Sequence, residues 1–410
     1  MHPFRSIRAA GLRTVAALAA LLPALHGCAG TADPAAERLR RAEAGKGDVV
    51  IGAAWPWAAR GQLLFRQGLE MAAAEENARG GVLGRRIRIV TADDHESVDQ
   101  GRLVAQRFAE DPSVVAVVGH LQSYVTVPAA PIYDLSGVVL LAPAATDPEL
   151  TRAHYAHVFR GTFSDLAAGT QLADYARARG YRSVAIYYGR NAYGRSLANA
   201  FEEHAAELGI RIAARQSYDP NAAPGAGSLG PLLDGWRQLD FDAILLAGET
   251  PYAATFLSEA RRHGITVPVL GGDALGVPDL LAAGPAAEGT VIVAAFHPDA
   301  PRPEVRRFGE AFRARYGRAP DAAAALGYDA VRVLADAIRR ARSTAPDRVA
   351  AALHDTRGWN GVTGPFTFDA DGDLPAKPIT LITVRGGRFE YLGGGGSAVP
   401  AETVAARGAR

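Results

Sequence analysis

Two short apolar runs, separated by a segment of helical length, constrain the fold of this chain more than any other feature. Residues 114–118 (VVAVV) end at Gly119, and residues 138–142 (VVLLA) end at Pro143. Uninterrupted aliphatic runs that are bounded by turn residues are typical of strands buried on both faces of a parallel sheet. The segment between the runs is long enough for one crossover helix, so this region predicts a β-α-β unit.

Each of these two runs is followed by a hydroxyl side chain at the same edge of the predicted sheet. Ser123 follows the first run and Thr146 follows the second. Ligands of open α/β sheets bind beside the carboxyl ends of the strands, and free N–H groups at a helix start favour a small anion. We therefore expect Ser123 and Thr146 to bind a carboxylate. The alternatives are that Ser123 is only the N-cap of its helix and that Thr146 only stabilises the turn at residues 147–148.

The alternation of strands and helices continues along the chain and divides it into two α/β units in series. In the first unit, strands are predicted at residues 48–54 and 86–92, and helices at 62–77 and 98–110. In the second, helices at 166–179, 194–208, 232–239 and 252–263 alternate with strands at 183–188, 211–217, 243–247 and 267–271. Later elements are a strand at 290–295, helices at 303–316, 322–340 and 347–354, and strands at 363–368 and 378–384. This order predicts an α/β protein with two doubly wound parallel sheets.

The N-terminal segment has the composition of a processing signal. Arg5, Arg8 and Arg13 precede an apolar stretch at residues 14–25 that is too short for a convincing transmembrane helix. That stretch ends at Cys28 in the sequence LHGC, which resembles the lipobox of bacterial lipoproteins, so Cys28 is predicted to carry a lipid. The alternative is a plain signal peptide with a chance cysteine. Residues 28–47 are then expected to form a flexible tether.

Composition and motifs argue against several classes of function. The chain has 44 basic and 43 acidic side chains, which gives no basic surplus for nucleic acid. Cys28 is the only cysteine, so no disulfide, cysteine nucleophile or cysteine-based zinc site is expected in the folded part. Residues 93–96 (DDHE) suggest a metal site, but adjacent side chains on an extended segment point in different directions, so a solvated strand end is the better interpretation. No G-x-S-x-G, Walker A or H-E-x-x-H motif is present.

A set of short motifs, in order along the chain, resembles the leucine/isoleucine/valine-binding protein family, the type I periplasmic substrate-binding proteins of ABC transporters. The motifs lie at residues 75–77 (EEN), 80–85 (GGVLGR), 93–94 (DD), 119–121 (GHL), 130–133 (APIY), 143–151, 191–194 (NAYG) and 328–330 (YDA). The resemblance implies two lobes connected by three crossings, which we place near Phe163, Val293 and Gly372. The predicted boundaries are 1–27 for the signal peptide, 28–47 for the tether, 48–163 plus 294–372 for lobe 1, 164–293 plus 373–392 for lobe 2, and 393–410 for a disordered tail.

The same resemblance implies roles for individual residues of the ligand site. Ser123 and Thr146 would hold the α-carboxylate of an amino acid, while the carbonyl of Ala144 and the acid Asp273 would hold its ammonium group. Tyr193 would close over the ligand from the second lobe. A zwitterion in a dry cleft needs both of its charges matched, which these groups can do. The alternatives are a surface tyrosine and a helix-capping aspartate.

Two features depart from the family pattern and bear on the ligand. Glu249 stands where the family usually has an aromatic residue, so the cleft is expected to contain a second carboxylate and to suit a more cationic or more polar ligand than leucine. Trp55 and Trp57 replace a turn of small residues, and Trp57 is predicted to stack against a flat or cationic group. The alternatives are a solvated Glu249 and tryptophans that pack under the first helix.

These observations predict a substrate-binding lipoprotein rather than an enzyme. It would capture an amino acid or similar small polar solute and deliver it to an ABC permease, as a monomer in the periplasm or cell envelope that is attached to the membrane through Cys28. No cofactor or metal is expected. The second hypothesis is a ligand-sensing or regulatory envelope lipoprotein with the same fold.

Overall fold

Two β-sheets organise the protein, whose computed structural model describes residues 33–220 and 229–394. The first sheet is parallel throughout and has the strand order β2-β1-β3-β4-β5. Its strands are β1 (Val49–Trp55), β2 (Ile87–Asp93), β3 (Val114–Val118), β4 (Val139–Ala142) and β5 (Val158–Arg160). The helices along this part of the chain are α1 (Pro34–Ala44), α2 (Phe65–Ala78), α3 (Val98–Glu110), α4 (Ser123–Leu135) and α5 (Glu149–Arg152).

The second sheet is mixed and has the order β14-β13-β10-β9-β8-β6-β7. Its strands are β6 (Ser183–Gly189), β7 (Arg211–Tyr218), β8 (Ala243–Ala247), β9 (Val269–Gly271), β10 (Val291–Ala294), β13 (Thr380–Arg385) and β14 (Arg388–Gly394). Its helices are α6 (Asp165–Ala178), α7 (Ala192–Glu207), α8 (Gly230–Trp236) and α9 (Tyr252–Arg262), with 3-10 helices at Asp273–Leu275 and Pro278–Ala287. Helices α10 (Pro303–Tyr316), α11 (Ala322–Ala341) and α12 (Pro346–His354) and the strand pair β11 (Trp359–Gly361) and β12 (Gly364–Phe366) complete the described chain.

Alternate side chains of the central strands pack against helices on opposite faces of the first sheet. Ile51 lies in a core with Leu69 of α2 and Val331 of α11, whereas Val50 packs in a separate core with Val104 of α3. A strand that is covered on both faces must be apolar at every position, which is why the sequence of β3 has no polar alternation. The predicted α/β class is therefore confirmed, and the first sheet is parallel as expected, whereas the second also contains the antiparallel strands β13 and β14.

The second sheet is covered in the same way. Ile186 of β6 packs with Leu197 of α7, and the next residue, Tyr187, packs on the other face with Trp236 and Phe256. The rings of Tyr187 and Phe256 stack with their centroids 4.2 Å apart. Each sheet thus has helices on both faces and forms a lobe with its own hydrophobic core.

Three segments connect the two lobes. The chain leaves the first sheet after β5 and enters α6, returns after β10 to α10, and leaves again after β12 to reach β13. Helices α10 to α12 share the core of the first sheet, for example through Phe308, Phe312 and Leu353. The predicted three-crossing connection is confirmed. Val293 itself lies inside β10, so the second crossing begins after Ala294.

The predicted tether over residues 28–47 is wrong for the residues that form α1. Arg38 on this helix is buried, with 2% of its surface exposed. Its guanidinium donates hydrogen bonds to the carbonyl oxygens of Val114, Ala109, Ser136 and Asp111 at 2.7–3.3 Å. A planar group with five donors can satisfy carbonyls from several loops at once, so one arginine fixes a short polar helix to lobe 1.

The C-terminal tail was predicted to begin at residue 393, and the last strand extends into it by two residues. Residues 388–394 form β14, which pairs antiparallel with β13. Gly386 and Gly387 make the tight turn between the strands, and both have positive φ, as a two-residue hairpin of type I′ requires. The remainder of the predicted tail (395–410), the signal segment with Cys28, and residues 221–228 lie outside the described residues. Among the helices that are described, none combines the length and apolarity needed to cross a membrane.

Candidate ligand-binding site

A cavity of about 710 Å³ lies between the two lobes. Its lining comes from the loops after the strands of both sheets, as expected for open α/β sheets. Lobe 1 contributes Trp55, Arg60, Leu63, Leu121, Gln122, Ser123, Ala144 and Thr146, among others. Lobe 2 contributes Tyr193, Glu249, Thr250, Asp273, Val277 and Leu281, among others. Six of the seven residues predicted to contact a ligand therefore line one cavity.

The loops that carry Ser123 and Thr146 lie side by side. The Ser123 Oγ accepts hydrogen bonds from the backbone N–H groups of Thr146 and Asp147, both at 3.2 Å. Strands β3 and β4 are adjacent and in parallel register, so the loops that follow them meet at one sheet edge. Gln122, rather than Ser123, occupies the N-cap position of α4, and Ser123 is the first helical residue. The capping interpretation of Ser123 is thus wrong, because its oxygen is directed to the neighbouring loop.

A buried chain of three polar side chains supports the loop before Ser123. The Nδ1 of His120 lies 2.7 Å from the Oδ2 of Asp94, and its Nε2 lies 3.2 Å from the Tyr133 hydroxyl. All three residues are inaccessible to solvent. Asp94 is thus a buried partner of His120 rather than part of a solvated strand end. No cluster able to hold a metal ion occurs among the residues that the structure describes. The sequence contains the DD motif (93–94) and the GHL motif (119–121), but nothing in it indicates that Asp94 and His120 are in contact.

Asp273 is an acid without a balancing cation at the lobe 2 side of the cavity. Burial raises its pKa to about 6, and the neighbouring Tyr193 hydroxyl partly offsets that shift. Its Oδ1 has no hydrogen-bond partner, and it forms no ion pair within residues 33–220 and 229–394. The Tyr193 hydroxyl accepts a hydrogen bond from the backbone N–H of Ala274 at 3.4 Å, which places this ring beside Asp273. An uncompensated carboxylate in a cavity is a site for a cation.

Glu249 provides the second carboxylate that the sequence predicts. Its Oε1 accepts a hydrogen bond from the Asn191 Nδ2 at 3.2 Å, and its backbone N–H donates to the Tyr218 hydroxyl at 3.2 Å. Burial raises the pKa of Glu249 to about 7, and the positive charge of Arg60 is the largest influence in the opposite direction. Glu249 is therefore held in place by lobe 2 and is electrostatically linked to a cation of lobe 1.

Arg60 is a lining residue that the sequence analysis did not identify. It follows the Trp55-Pro56-Trp57 turn, and its guanidinium forms an ion pair with Glu96 of lobe 1. Its Nη1 lies 3.7 Å from the Oδ2 of Asp279, which belongs to lobe 2. Three sequence segments that are far apart along the chain meet at this side chain, and no periodicity or motif marks it.

The two tryptophans of the turn have different surroundings. Trp55 lines the cavity and stacks on Phe65, with ring centroids 3.8 Å apart. Trp57, for which ligand contact was predicted, is not a lining residue. Its indole N–H donates to the carbonyl of Ala92 at 3.0 Å, and the Arg66 guanidinium lies 4.3 Å from its ring centre. These contacts direct Trp57 away from the cleft, so Trp55 is the better candidate for ligand contact.

Comparison with known proteins places this geometry in a family. The family model described as periplasmic binding protein matches residues 57–388. The chain is 31% identical over 357 residues to Leu/Ile/Val-binding protein homolog 2 of Brucella abortus, which covers 84% of this chain and 93% of that protein.

Solved structures of substrate-binding proteins are also similar to this chain. An ABC transporter substrate-binding protein from Desulfitobacterium hafniense in complex with Leu is 40% identical, with a TM-score of 0.77, and the match covers 84% of this chain and all of that one. A branched-chain amino acid binding protein from Streptococcus pneumoniae in complex with isoleucine is 27% identical, with a TM-score of 0.76, covering 84% and 98%. The chain belongs to the periplasmic binding protein family, as a member of its Leu/Ile/Val-binding group.

Proposed function

We propose that the protein is the substrate-binding component of an ABC transporter and that it captures an α-amino acid with an apolar, branched side chain. The observation that carries this proposal is that one cavity has groups suited to an anion on the lobe 1 side and a group suited to a cation on the lobe 2 side. Among the residues that the structure describes, none forms an ion pair with Asp273 of lobe 2, while the Ser123–Thr146 loops of lobe 1 offer hydroxyls and N–H groups at the start of α4. An amino-acid zwitterion satisfies both ends.

The carboxylate end of the ligand would bind at Ser123 and Thr146. Because the Ser123 oxygen already accepts two backbone N–H bonds, its own hydrogen is free to be donated to a ligand oxygen. Accepting two bonds also polarises the hydroxyl and makes it a stronger donor. The positive end of the α4 dipole adds to the attraction for an anion.

The ammonium end would bind at Asp273, with the carbonyl of Ala144 as a second acceptor. The Tyr193 ring beside Asp273 would cover the ligand from lobe 2. Apolar lining residues, among them Leu63, Leu121, Val277 and Leu281, are left for the side chain. The relatives whose complexes contain leucine and isoleucine support a branched apolar side chain.

Delivery and attachment complete the proposal. The protein would pass its ligand to an ABC permease as a monomer in the periplasm or cell envelope, and lipid on Cys28 would attach it to a membrane. Binding would occur without chemical conversion of the ligand. Metabolic labelling with a palmitate analogue tests the attachment, since the label is expected on the intact protein and is absent from a Cys28→Ser variant.

Isothermal titration calorimetry of the purified domain against the twenty amino acids tests ligand capture. Leucine, isoleucine or valine is expected to bind with one site, and Asp273→Asn is expected to weaken that binding by about tenfold or more, as loss of a charged hydrogen-bond partner does. The exposed Asp299→Asn is a matched control, since it makes the same chemical change outside the cavity lining. Absence of binding by all amino acids would refute the proposal.

A further inference from the structure

Acidic side chains from both lobes surround a single arginine at the mouth of the cleft. Arg60 pairs with Glu96 of its own lobe, and its Nη1 lies 3.7 Å from Asp279 of the opposite lobe. Glu249, also from the opposite lobe, lines the same cavity and has a pKa that the charge of Arg60 lowers against the effect of burial. One guanidinium therefore balances part of the charge of three carboxylates.

Arg60 lines two cavities. One is the ligand cavity, and the other is a second cavity of about 720 Å³ that is also lined by residues of both lobes. Glu96, Asp279 and Arg262 line that second cavity but not the first. Arg60 is therefore part of the wall of both cavities, and the acids Glu96 and Asp279 lie with it at the second one.

We propose that Arg60 sets the charge selectivity of the cleft, because it occupies the place that the cationic end of a lysine or arginine ligand would need. The inference rests on the proposed function and concerns only the side-chain end of the ligand. With Arg60 in place, a second cation meets repulsion and finds Glu96 already paired. Apolar ligand side chains are not repelled by Arg60 and need no carboxylate partner, so the wild-type cleft binds them in preference to cationic side chains.

The positions of these side chains also predict the effect of removing the arginine. Arg60→Ala leaves Glu96, Glu249 and Asp279 near the volume that the arginine side chain vacates. A lysine or arginine ligand can then extend its side chain into that volume and supply the missing cation. Glu249, the carboxylate from which the sequence predicts a more cationic ligand, would then be available to such a ligand.

If Arg60 only held the two lobes together, its removal would give a different result. The Gln62 Nε2 already donates to the Oδ2 of Asp279 at 3.1 Å across the same gap. That contact does not involve Arg60 and remains in the variant. Loss of a clamp would weaken all amino acids alike, whereas loss of a selectivity residue changes their order.

The test compares the affinities of leucine, lysine and arginine by calorimetry for the wild type and for Arg60→Ala, Arg60→Lys and Arg66→Ala. The ratio of lysine to leucine affinity is expected to rise by at least about tenfold in Arg60→Ala, the size of one charge-assisted contact. Arg60→Lys keeps the charge and is expected to keep the wild-type order. Arg66→Ala removes an exposed arginine six residues away that does not line the cavity, and it is expected to behave as wild type.

Each outcome separates the inference from the proposed function. A wild type that binds leucine, with an Arg60→Ala variant whose lysine-to-leucine ratio is unchanged, overturns the inference and leaves the function intact. A wild type that binds no amino acid overturns the function. If Arg60→Ala does not fold, Arg60→Gln removes the charge but fills part of the volume, and a smaller rise of the same lysine-to-leucine ratio is expected. Adding Glu249→Gln to the Arg60 variant is expected to remove most of the gain in lysine affinity.

Discussion

Amino-acid affinity is expected to fall as the pH drops through the pKa of Asp273. Only the ionised carboxylate attracts the ligand ammonium, and in the empty cleft burial raises the pKa of Asp273 to about 6. A bound ammonium holds the carboxylate in its charged form and so lowers that pKa in the complex. Binding is therefore fully favourable above about pH 7 and is progressively lost as the pH falls below the pKa of the empty site. Between that pKa and the lower pKa of the complex, ligand binding releases a proton from Asp273.

The magnitude follows from the fraction of Asp273 that is ionised. With a pKa of about 6, that fraction is about nine-tenths at pH 7 and about one-tenth at pH 5, so the association constant falls by about tenfold over this interval. Burial also raises the pKa of Glu249, to about 7. Because Arg60 is the charge partner of Glu249, the titration of Glu249 should contribute less to the pH dependence of binding than that of Asp273. A fall much steeper than tenfold would mean that a second carboxylate also contributes, either Glu249 or Asp165, whose pKa is raised by burial and also by the nearby Asp273.

Calorimetry at several pH values, in buffers of different ionisation enthalpy, measures both the affinity and the number of protons released. Asp273→Asn is expected to bind weakly and to lose most of the pH dependence, whereas Asp299→Asn keeps the wild-type profile. Two results would contradict the reasoning. One is an affinity that stays constant from neutral to acidic pH, and the other is an Asp273→Asn variant with the wild-type slope.

Three further predictions concern other parts of the structure. Ser123→Ala should raise the Kd for the amino acid by about tenfold, measured by calorimetry, because the ligand loses one hydroxyl donor to its carboxylate; an unchanged Kd would place the carboxylate elsewhere. Arg38→Ala should lower the free energy of unfolding in urea by roughly 3 kcal/mol, since several buried carbonyls lose their donor, and should leave ligand affinity intact. Trp55→Phe should abolish most of the change in intrinsic fluorescence on ligand binding, whereas Trp57→Phe should retain it; the reverse result would assign the ligand contact to Trp57.

The parts of the fold and site that depend on local pattern could be predicted from the sequence. Residues 114–118 and 138–142 are strands of one parallel sheet, and the loops after them meet as expected because adjacent strands end at one edge. The positions of Asp273 and Glu249 came from resemblance to a family. Their raised pKa values came from the structure, since burial depends on the packing of both lobes.

The remaining features depend on contacts between distant segments. Arg60 looks like an ordinary polar residue of a turn until lobe 2 brings Asp279 and Glu249 to it. The choice between Trp55 and Trp57 depends on where β1 ends: Trp55 is the last residue of the strand, and the turn after it directs Trp57 to the carbonyl of Ala92. Neither contact has a signal in local composition.

The docking of α1 by Arg38 makes this helix move as part of lobe 1. Its guanidinium donates hydrogen bonds to the carbonyl oxygens of Val114 and Ala109, which belong to that lobe. Opening or closing of the cleft would therefore carry α1 together with lobe 1, and lobe 2 would rotate relative to both.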